Sequence, residues 1–194
     1  MRKKMVGFII AGMLVLVFGL ASTPARAELS LGVVGGYYSP NFGKINDDYL
    51  AGLGTDLEFK AGAMYGLVLG YDLPARFGLR LEYNSFESKT SDEEQDFKLT
   101  VTPMMLSLIY GFSPAYIGAG VGLFSTEFKD TYGDSDSDSP TGLVLLGGFG
   151  FGDRPIFLNL EARYVVGTKP KLEDFGTEVD LSGLQLGLLA GLKI

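Results

Sequence analysis

The residues best placed to do chemistry in this chain are acids and bases set inside an apolar run. In the segment PIFLNLEARYVVG, residues 155–167, Asn159, Glu161 and Arg163 occupy every second position among apolar side chains. Because side chains alternate between the two faces of a β-strand, this run predicts a strand with one apolar face and one ionic face. Charged groups at this spacing can form ion pairs, either in water on a soluble sheet or inside a closed one.

Groups typical of catalysis are scarce in this sequence. The chain has no histidine and no cysteine. General acid–base work at neutral pH would therefore fall to carboxylates, and no serine, aspartate or glutamate has a visible base beside it. We expect no enzymatic activity, no disulfide and no cofactor.

The acidic segment DSDSDS has a spacing typical of a cation site. Asp134, Asp136 and Asp138 match the first ligands of an EF-hand loop, but the glycine position is Ser139 and the twelfth position is Leu145. We expect a flexible, solvated loop, with weak divalent-cation binding as the alternative.

Residues 1–27 predict a secretory signal peptide. MRKK is followed by an apolar run from Met5 to Ala21 and by the tripeptide ARA, which predicts cleavage before Glu28; an uncleaved anchor is the alternative. Residues 28–194 are long enough for one domain. They contain 12 Lys and Arg against 23 Asp and Glu, a balance that argues against nucleic acid as a partner.

Proline and glycine divide the remaining sequence into eight predicted strands. Seven prolines follow residue 27, and all except Pro103 lie between strand-like runs. We expect strands, with boundaries uncertain by about 2 to 4 residues, at 29–38, 61–72, 77–87, 97–112, 115–127, 141–152, 155–166 and 179–193.

The connections between these strands alternate strictly between short and long. LPAR, SPA and DRP are the short ones, whereas the other four have nine or more residues. Transmembrane β-barrels sort their loops in this way, and about 9 to 11 tilted residues cross a bilayer. We therefore predict an all-β, eight-stranded antiparallel up-and-down transmembrane β-barrel.

The third and seventh strands would lie opposite each other in such a barrel. The third strand, FGLRLEYNSF, carries Arg80 and Glu82 in the reverse order to Glu161 and Arg163. That order permits two pairs across the lumen, Arg80 with Glu161 and Glu82 with Arg163. We expect these charges to face inward and plug the lumen, because an unpaired charge in lipid costs about 2 to 4 kcal/mol; exposed charges on a soluble sheet are the alternative.

Pro103 lies inside a predicted strand, where it removes a ladder hydrogen bond. Leu99 and Val101 stand at odd positions, whereas the apolar residues after Pro103 stand at even positions. A change of face is typical of a β-bulge, which we predict at Pro103.

Two further expectations concern the barrel wall. Gly118, Gly120 and Gly122 share one face of the fifth strand and would leave lumen volume for the arginines. The aromatic residues gather near strand ends, which predicts two girdles at the membrane interfaces. The members are Tyr71, Phe77, Tyr110, Phe112, Tyr116 and Phe151 near the short turns, and Tyr37, Tyr38, Tyr83, Phe86, Phe97, Phe124 and Phe128 near the long loops.

The chain resembles the small outer-membrane β-barrel proteins of Gram-negative bacteria, among them the OmpA transmembrane domain, OmpX and OmpW. The resemblance rests on LGVVGGYYSP, FGLRLEYN, PAYIGAGVG and FLNLEARY, although Ile194 stands where such barrels usually end in an aromatic residue. It implies a monomer in the cell outer membrane, surrounded by lipids and lipopolysaccharide. It also implies periplasmic chaperones and the barrel-assembly machinery as partners during biogenesis.

Two functions stay open at this point. One is a structural or surface-interaction barrel whose lumen is plugged by Arg80, Glu82, Glu161 and Arg163. The other is a small channel for apolar or small solutes, as the resemblance to OmpW implies, for which the glycine-lined wall and the first long loop leave room. The apolar residues of that loop are Tyr49, Leu50 and Leu53.

Overall fold

The structure is a computed structural model that describes residues 28–43, 45–53, 57–91, 96–151, 155–172 and 177–194. Its strands are β1 (Glu28–Asn41), β2 (Gly62–Asp72), β3 (Phe77–Ser91), β4 (Asp96–Phe112), β5 (Ala115–Lys129), β6 (Ser135–Asp138), β7 (Thr141–Phe151), β8 (Ile156–Val166), β9 (Lys171–Leu172), β10 (Thr177–Glu178) and β11 (Asp180–Lys193). Short helical turns occupy Ile45–Leu50, Ala51–Leu53 and Pro74–Arg76. Within these ranges no helix is long and apolar enough to span a membrane. The predicted signal peptide, residues 1–27, lies outside the described residues.

Eight long strands close into an antiparallel barrel in the order β1, β2, β3, β4, β5, β7, β8, β11 and back to β1. The short strand β6 pairs with the end of β5, and β9 pairs with β10. All eight predicted strands match observed strands to within four residues at each end. The predicted fold is therefore confirmed.

The first and last strands meet along a seam. Leu29 and Ile194 exchange two backbone hydrogen bonds, of 3.2 and 2.7 Å between N and O. The Lys193 ammonium lies 2.9 Å from an Asp72 carboxylate oxygen and 3.7 Å from one of Glu28. The seam thus joins the two ends of the described chain at the end of the barrel that carries the short turns.

An apolar belt surrounds the barrel. In the described residues no charged side chain points outward at this level, and more exposed positions alternate with more buried ones along much of each long strand. Exposed members of the belt include Leu31, Val33, Leu67, Ile117, Val121, Leu143, Leu145, Phe149, Leu160, Leu186 and Leu188. Such a belt is what a barrel presents to lipid hydrocarbon.

The polarity of the wall is inverted beyond the belt at the end that carries the long loops. β3, β4 and β5 contain 15, 17 and 15 residues, more than a bilayer requires. In this projecting part the outward face carries ion pairs such as Glu87 with Lys89, at 2.9 Å. Hydrogen bonds from Lys98 and Lys89 lower the pKa of the Glu87 carboxyl. The inward face is apolar in this projecting part. Each of these strands therefore has an apolar outward face in the belt, as in a membrane protein, and a polar outward face beyond it, as in a water-soluble protein.

The bulge predicted at Pro103 is wrong. The pairing of β4 with β5 keeps one register from Lys98 opposite Lys129 to Phe112 opposite Ala115. Odd positions are buried from 97 to 107, so Leu99, Val101 and Pro103 face inward with the rest. The apolar residues move from odd to even positions because the outward face of β4 passes from water to lipid. The strand itself stays regular. Pairing with β3 is merely interrupted opposite Pro103.

The predicted girdle near the long loops is wrong in most of its members. Tyr38, Phe86, Phe97, Phe124 and Phe128 are buried inside the barrel. The exposed aromatics near that end of the belt are Tyr37, Tyr65, Tyr83 and Tyr164. Near the short turns, the exposed ones are Phe77, Tyr110, Phe112, Phe149 and Phe151.

Candidate functional site

Four charged side chains cross the lumen and form what we call the ionic layer. Arg80 and Glu82 come from β3, and Glu161 and Arg163 come from β8 on the opposite wall. Each pair shares a face because its members are two residues apart on a strand. All four side chains are buried, and Arg80 is the most exposed at 8 %.

Each charge in the ionic layer contacts both charges of opposite sign. Arg80 pairs with Glu161 and lies 3.6 Å from Glu82. Arg163 pairs with Glu161 through Nε, and its Nη1 lies 2.6 Å from Glu82 Oε2. The structure therefore brings together both cross-lumen pairs expected from the sequence and adds a contact along each strand. The four formal charges sum to zero, which limits the cost of burying them.

Tyr116 on β5 completes the ionic layer and was missed by the sequence analysis, which placed it in a girdle. Its hydroxyl donates to Glu161 Oε2 at 2.8 Å, and its ring centroid lies 5.2 Å from Arg80 Cζ. A Cβ atom at Gly148 on β7 would lie 2.6 Å from the Tyr116 hydroxyl, so glycine makes room for this ring. Parity could have identified Tyr116, because it shares the even, inward positions with Gly118.

The glycines of β5 serve other neighbours than the arginines. The atoms nearest to a Cβ at Gly118 include Ile109 and Leu146, and those nearest to one at Gly120 belong to Leu106 and Ser107. At Gly122 they belong to Phe124 and Met105. These three glycines therefore let neighbouring side chains and strands approach, and their expected role in leaving volume for the arginines stays a prediction.

An apolar cluster, which we call the upper core, fills the lumen between the ionic layer and the long loops. Barrel strands contribute Tyr38, Phe86, Leu99, Val101, Phe124, Phe128, Val144, Val165 and Leu181. The first long connection contributes Phe42, Ile45, Leu50 and Phe59. The Phe59 ring packs against those of Phe42 and Phe128, with centroids 5.8 and 6.0 Å apart.

The described part of the first long connection therefore packs into this end of the lumen, where the sequence predicted that this connection would leave room for a channel. Leu50 has no exposed surface. The side chains of Tyr49 and Leu53 lie outside the described part of the chain.

Two polar side chains anchor residues 42–43, 45–53 and 57–60, the described part of the first long connection, which we call the cap. Asn46 accepts a hydrogen bond from the Phe59 amide at 2.9 Å and donates one to the Phe59 carbonyl at 3.1 Å. Ser88 of β3 accepts from the Lys60 amide at 3.2 Å and donates to the Lys60 carbonyl at 2.9 Å. The first pair of hydrogen bonds connects the beginning of the cap to its end, and the second pair connects the cap to the barrel wall.

A cavity of about 820 Å³, which we call the vestibule, lies on the other side of the ionic layer. Arg80 and Tyr116 line it, as do the short turn after β2 and the residues that join β4 to β5. Because its lining includes residues of these two short turns, the vestibule lies at the short-turn end of the barrel.

The aspartates of DSDSDS form no metal centre in the structure. Asp136 and Asp138 lie on β6, and Asp138 accepts hydrogen bonds from the amides of Ser139 at 2.7 Å and Lys171 at 3.0 Å. Among the described residues, no three His, Cys, Asp or Glu side chains are grouped so that they could hold a metal ion. The segment that was expected to be a solvated loop is thus partly an edge strand.

Comparison with known proteins adds a family match. The model of the outer membrane protein β-barrel domain matches residues 11–191. No curated protein sequence matches the chain.

Solved structures provide further similar chains. Ail of Yersinia pestis, in complex with the heparin analogue sucrose octasulfate, is 18% identical, with 87% of this chain and 97% of that chain covered and a TM-score of 0.46. Neisserial surface protein A is 15% identical, with coverages of 87% and 95% and a TM-score of 0.46. AlkL in lipid bilayers is 16% identical, with coverages of 86% and 87% and a TM-score of 0.45.

Proposed function

The chain belongs to the family of outer membrane protein β-barrel domains, and from that premise we propose that it is a sealed barrel with a structural or surface-interaction role. The observation that carries this proposal is the presence of two barriers in series. The ionic layer crosses the lumen, and the upper core fills the space between that layer and the long loops. An ion would have to break a neutral network in which each charge lies beside charges of opposite sign, and then cross an apolar zone.

The outer-membrane family supports an orientation for the barrel. We propose that the outer membrane surrounds the apolar belt, that the long-loop end projects outside the cell, and that the short-turn end faces the periplasm. In this orientation the cap and the projecting parts of β3, β4 and β5 meet the cell's surroundings. We propose lipids and lipopolysaccharide as neighbours, chaperones and the assembly machinery as biogenesis partners, and a monomeric barrel without catalytic activity.

A small-solute channel is the second candidate function, and the vestibule supports it. A cavity of about 820 Å³ already opens one end of the lumen. A conducting state would require the ionic layer to part and the cap to leave the upper core.

Single-channel conductance of the refolded residues 28–194 in a planar bilayer tests the proposal. We expect the wild type to be silent. The variant Arg80→Ala, Glu82→Ala, Glu161→Ala, Arg163→Ala should also be silent, because the upper core remains. Replacing residues 43–58 by a short Gly-Ser linker in that variant should produce discrete steps.

The control for this experiment is Glu87→Ala with Lys89→Ala, which removes a similar charge pair from the outward face. It should be as silent as the wild type. Discrete steps in the wild type would overturn the sealed barrel and make transport the leading function.

A further inference from the structure

The vestibule leaves open a part of the lumen that side chains ordinarily fill in an eight-stranded barrel. Its volume of about 820 Å³ is within the range of small-molecule sites, roughly 300 to 1,000 Å³. We propose that it binds a small amphiphilic anion, a carboxylate with a short apolar chain, which enters from the periplasmic end. This inference rests on the proposed function, because the vestibule is a dead end only if the lumen above it is sealed.

Two glycines of the vestibule wall stand at positions where the packing of neighbouring atoms does not require a glycine. A Cβ atom at Gly78 or Gly111, both in the lining, would meet its nearest neighbour at 3.6 Å, an ordinary contact distance. These two positions could therefore carry larger residues without a clash at Cβ. The glycines preserve volume here, in contrast to Gly148, where the Tyr116 ring requires one.

The described lining contains three cationic side chains, Arg76, Arg80 and Lys193, and one carboxylate, Asp72. Arg80 is paired with the glutamates of the ionic layer, and Lys193 is paired with Asp72 and Glu28. Among the described residues, no carboxylate pairs with Arg76. Arg76 therefore favours an anionic head group over a cationic one.

A strained turn places one of these cations at the mouth. Ala75 and Arg76 have φ angles of 60° and 68°, in the left-handed region that favours glycine. Residues other than glycine are strained in this region, and such residues concentrate at ligand-binding and other functional positions. The turn is held by a hydrogen bond from the Leu73 amide to the Phe77 carbonyl, at 2.8 Å. The chain carries arginine at a strained position beside the cavity, where glycine would relieve the strain.

The deeper wall suits the apolar part of the ligand. Val68, Ile109, Phe157 and Leu189 line the vestibule together with Ser30 and Asn159. A short alkyl chain can bury itself against the first four, while its carboxylate stays near the cations. Burial of each methylene group favours binding, so a chain of a few carbons is enough for measurable binding.

Titration of the isotope-labelled barrel in lipid nanodiscs, with hexanoate as the probe, tests this site by the amide shifts of Gly70 and Gly150. We expect saturable shifts with hexanoate and none with hexylammonium or with inorganic phosphate. Gly78→Leu should weaken hexanoate binding at least tenfold by filling the vestibule. Arg76→Gln and Lys193→Gln should each weaken it severalfold.

Gly147→Leu is the matched control, because it places the same side chain on the lipid face of β7, where a Cβ atom also has 3.6 Å of room. It should leave hexanoate binding unchanged. No saturable shift, equal shifts with hexylammonium or phosphate, or unaltered binding by Gly78→Leu would overturn the inference. Conductance reports on the seal independently, so a barrel that binds hexanoate yet conducts would contradict only the proposed function.

Discussion

At the scale of residues, the ionic layer depends on cross-pairing, so removing one member costs more than removing a matched pair. Arg163→Met leaves two buried carboxylates facing Arg80 alone and should lower the free energy of unfolding by about 3 to 5 kcal/mol. Adding Glu82→Leu restores neutrality, because Arg80 and Glu161 remain paired. We expect the double variant to be more stable than Arg163→Met alone, as measured by urea unfolding in detergent micelles.

The wild type, Arg163→Met, Glu82→Leu and the double variant form a double-mutant cycle. Additive losses would contradict the cross-paired arrangement, because they would mean that Glu82 and Arg163 do not interact.

The Tyr116 hydroxyl supplies a separate residue-scale prediction. Tyr116→Phe removes its hydrogen bond to Glu161 but keeps the ring beside Arg80. Because hydrogen bonds to charged groups contribute about 1.5 to 3 kcal/mol, the free energy of unfolding should fall by an amount of that order. Tyr110→Phe on the outward face is the control and should change little. Equal effects of the two substitutions would argue against a role for the hydroxyl.

The four charges of the ionic layer could be predicted from the sequence because strand alternation is local and because lipid excludes unpaired charge. The position of Tyr116 was predicted wrongly because its closeness to a strand end was given more weight than its parity. The neighbours that the glycines of β5 accommodate could not be predicted, because those contacts join adjacent strands.

At the scale of elements, the inversion of polarity along β4 sets what each outward position tolerates. Leu108→Lys places a charge in the belt and should cost about 2 to 4 kcal/mol of unfolding free energy. Thr100→Lys lies beyond the belt, opposite Glu87 and Glu127 in the register, and should cost nothing or stabilise slightly. The free energy of unfolding of both variants is measured in lipid vesicles. Equal losses of this free energy would mean that the membrane boundary does not lie between positions 100 and 108.

The cap is the other element whose anchoring can be tested. Asn46→Ala removes both side-chain hydrogen bonds to Phe59. Losing about 1.4 kcal/mol of local stability would accelerate exchange of the Phe59 amide about tenfold, with little change in global stability. Asn41→Ala is the control, since Asn41 makes an exposed contact with the Gly43 amide at 3.3 Å. Unchanged exchange in Asn46→Ala would mean that packing alone holds the cap.

The element scale also shows why the bulge at Pro103 was predicted in error. A change in apolar parity was attributed to the strand, although it arose from the passage from lipid to water around a regular strand. Phe42 and Leu50 are buried in the upper core by contacts with residues that are distant in the sequence. The local sequence pattern of a long connection cannot predict such contacts.

At the scale of the whole molecule, a closed barrel should keep its shape in detergent until heated. The unboiled protein is expected to migrate differently on a gel from the boiled protein, because the folded barrel stays compact. A single band position before and after boiling would contradict a closed barrel in detergent.

The predicted signal peptide also belongs to this scale. Amino-terminal sequencing of the protein recovered from the outer membrane should begin at Glu28. An amino terminus at Met1 would favour the uncleaved anchor instead.

The seam between β1 and β11 has a consequence for the order of folding. Leu29 and Ile194 are partners although nearly the whole described chain separates them, so this pairing has the highest loop-closure cost of any in the barrel. We infer that it forms last. Until then β1 and β11 each have an unpaired edge, and such edges are templates for aggregation. A chain stopped short of β11 would keep β1 and β8 exposed, which makes completion of synthesis a condition for safe assembly.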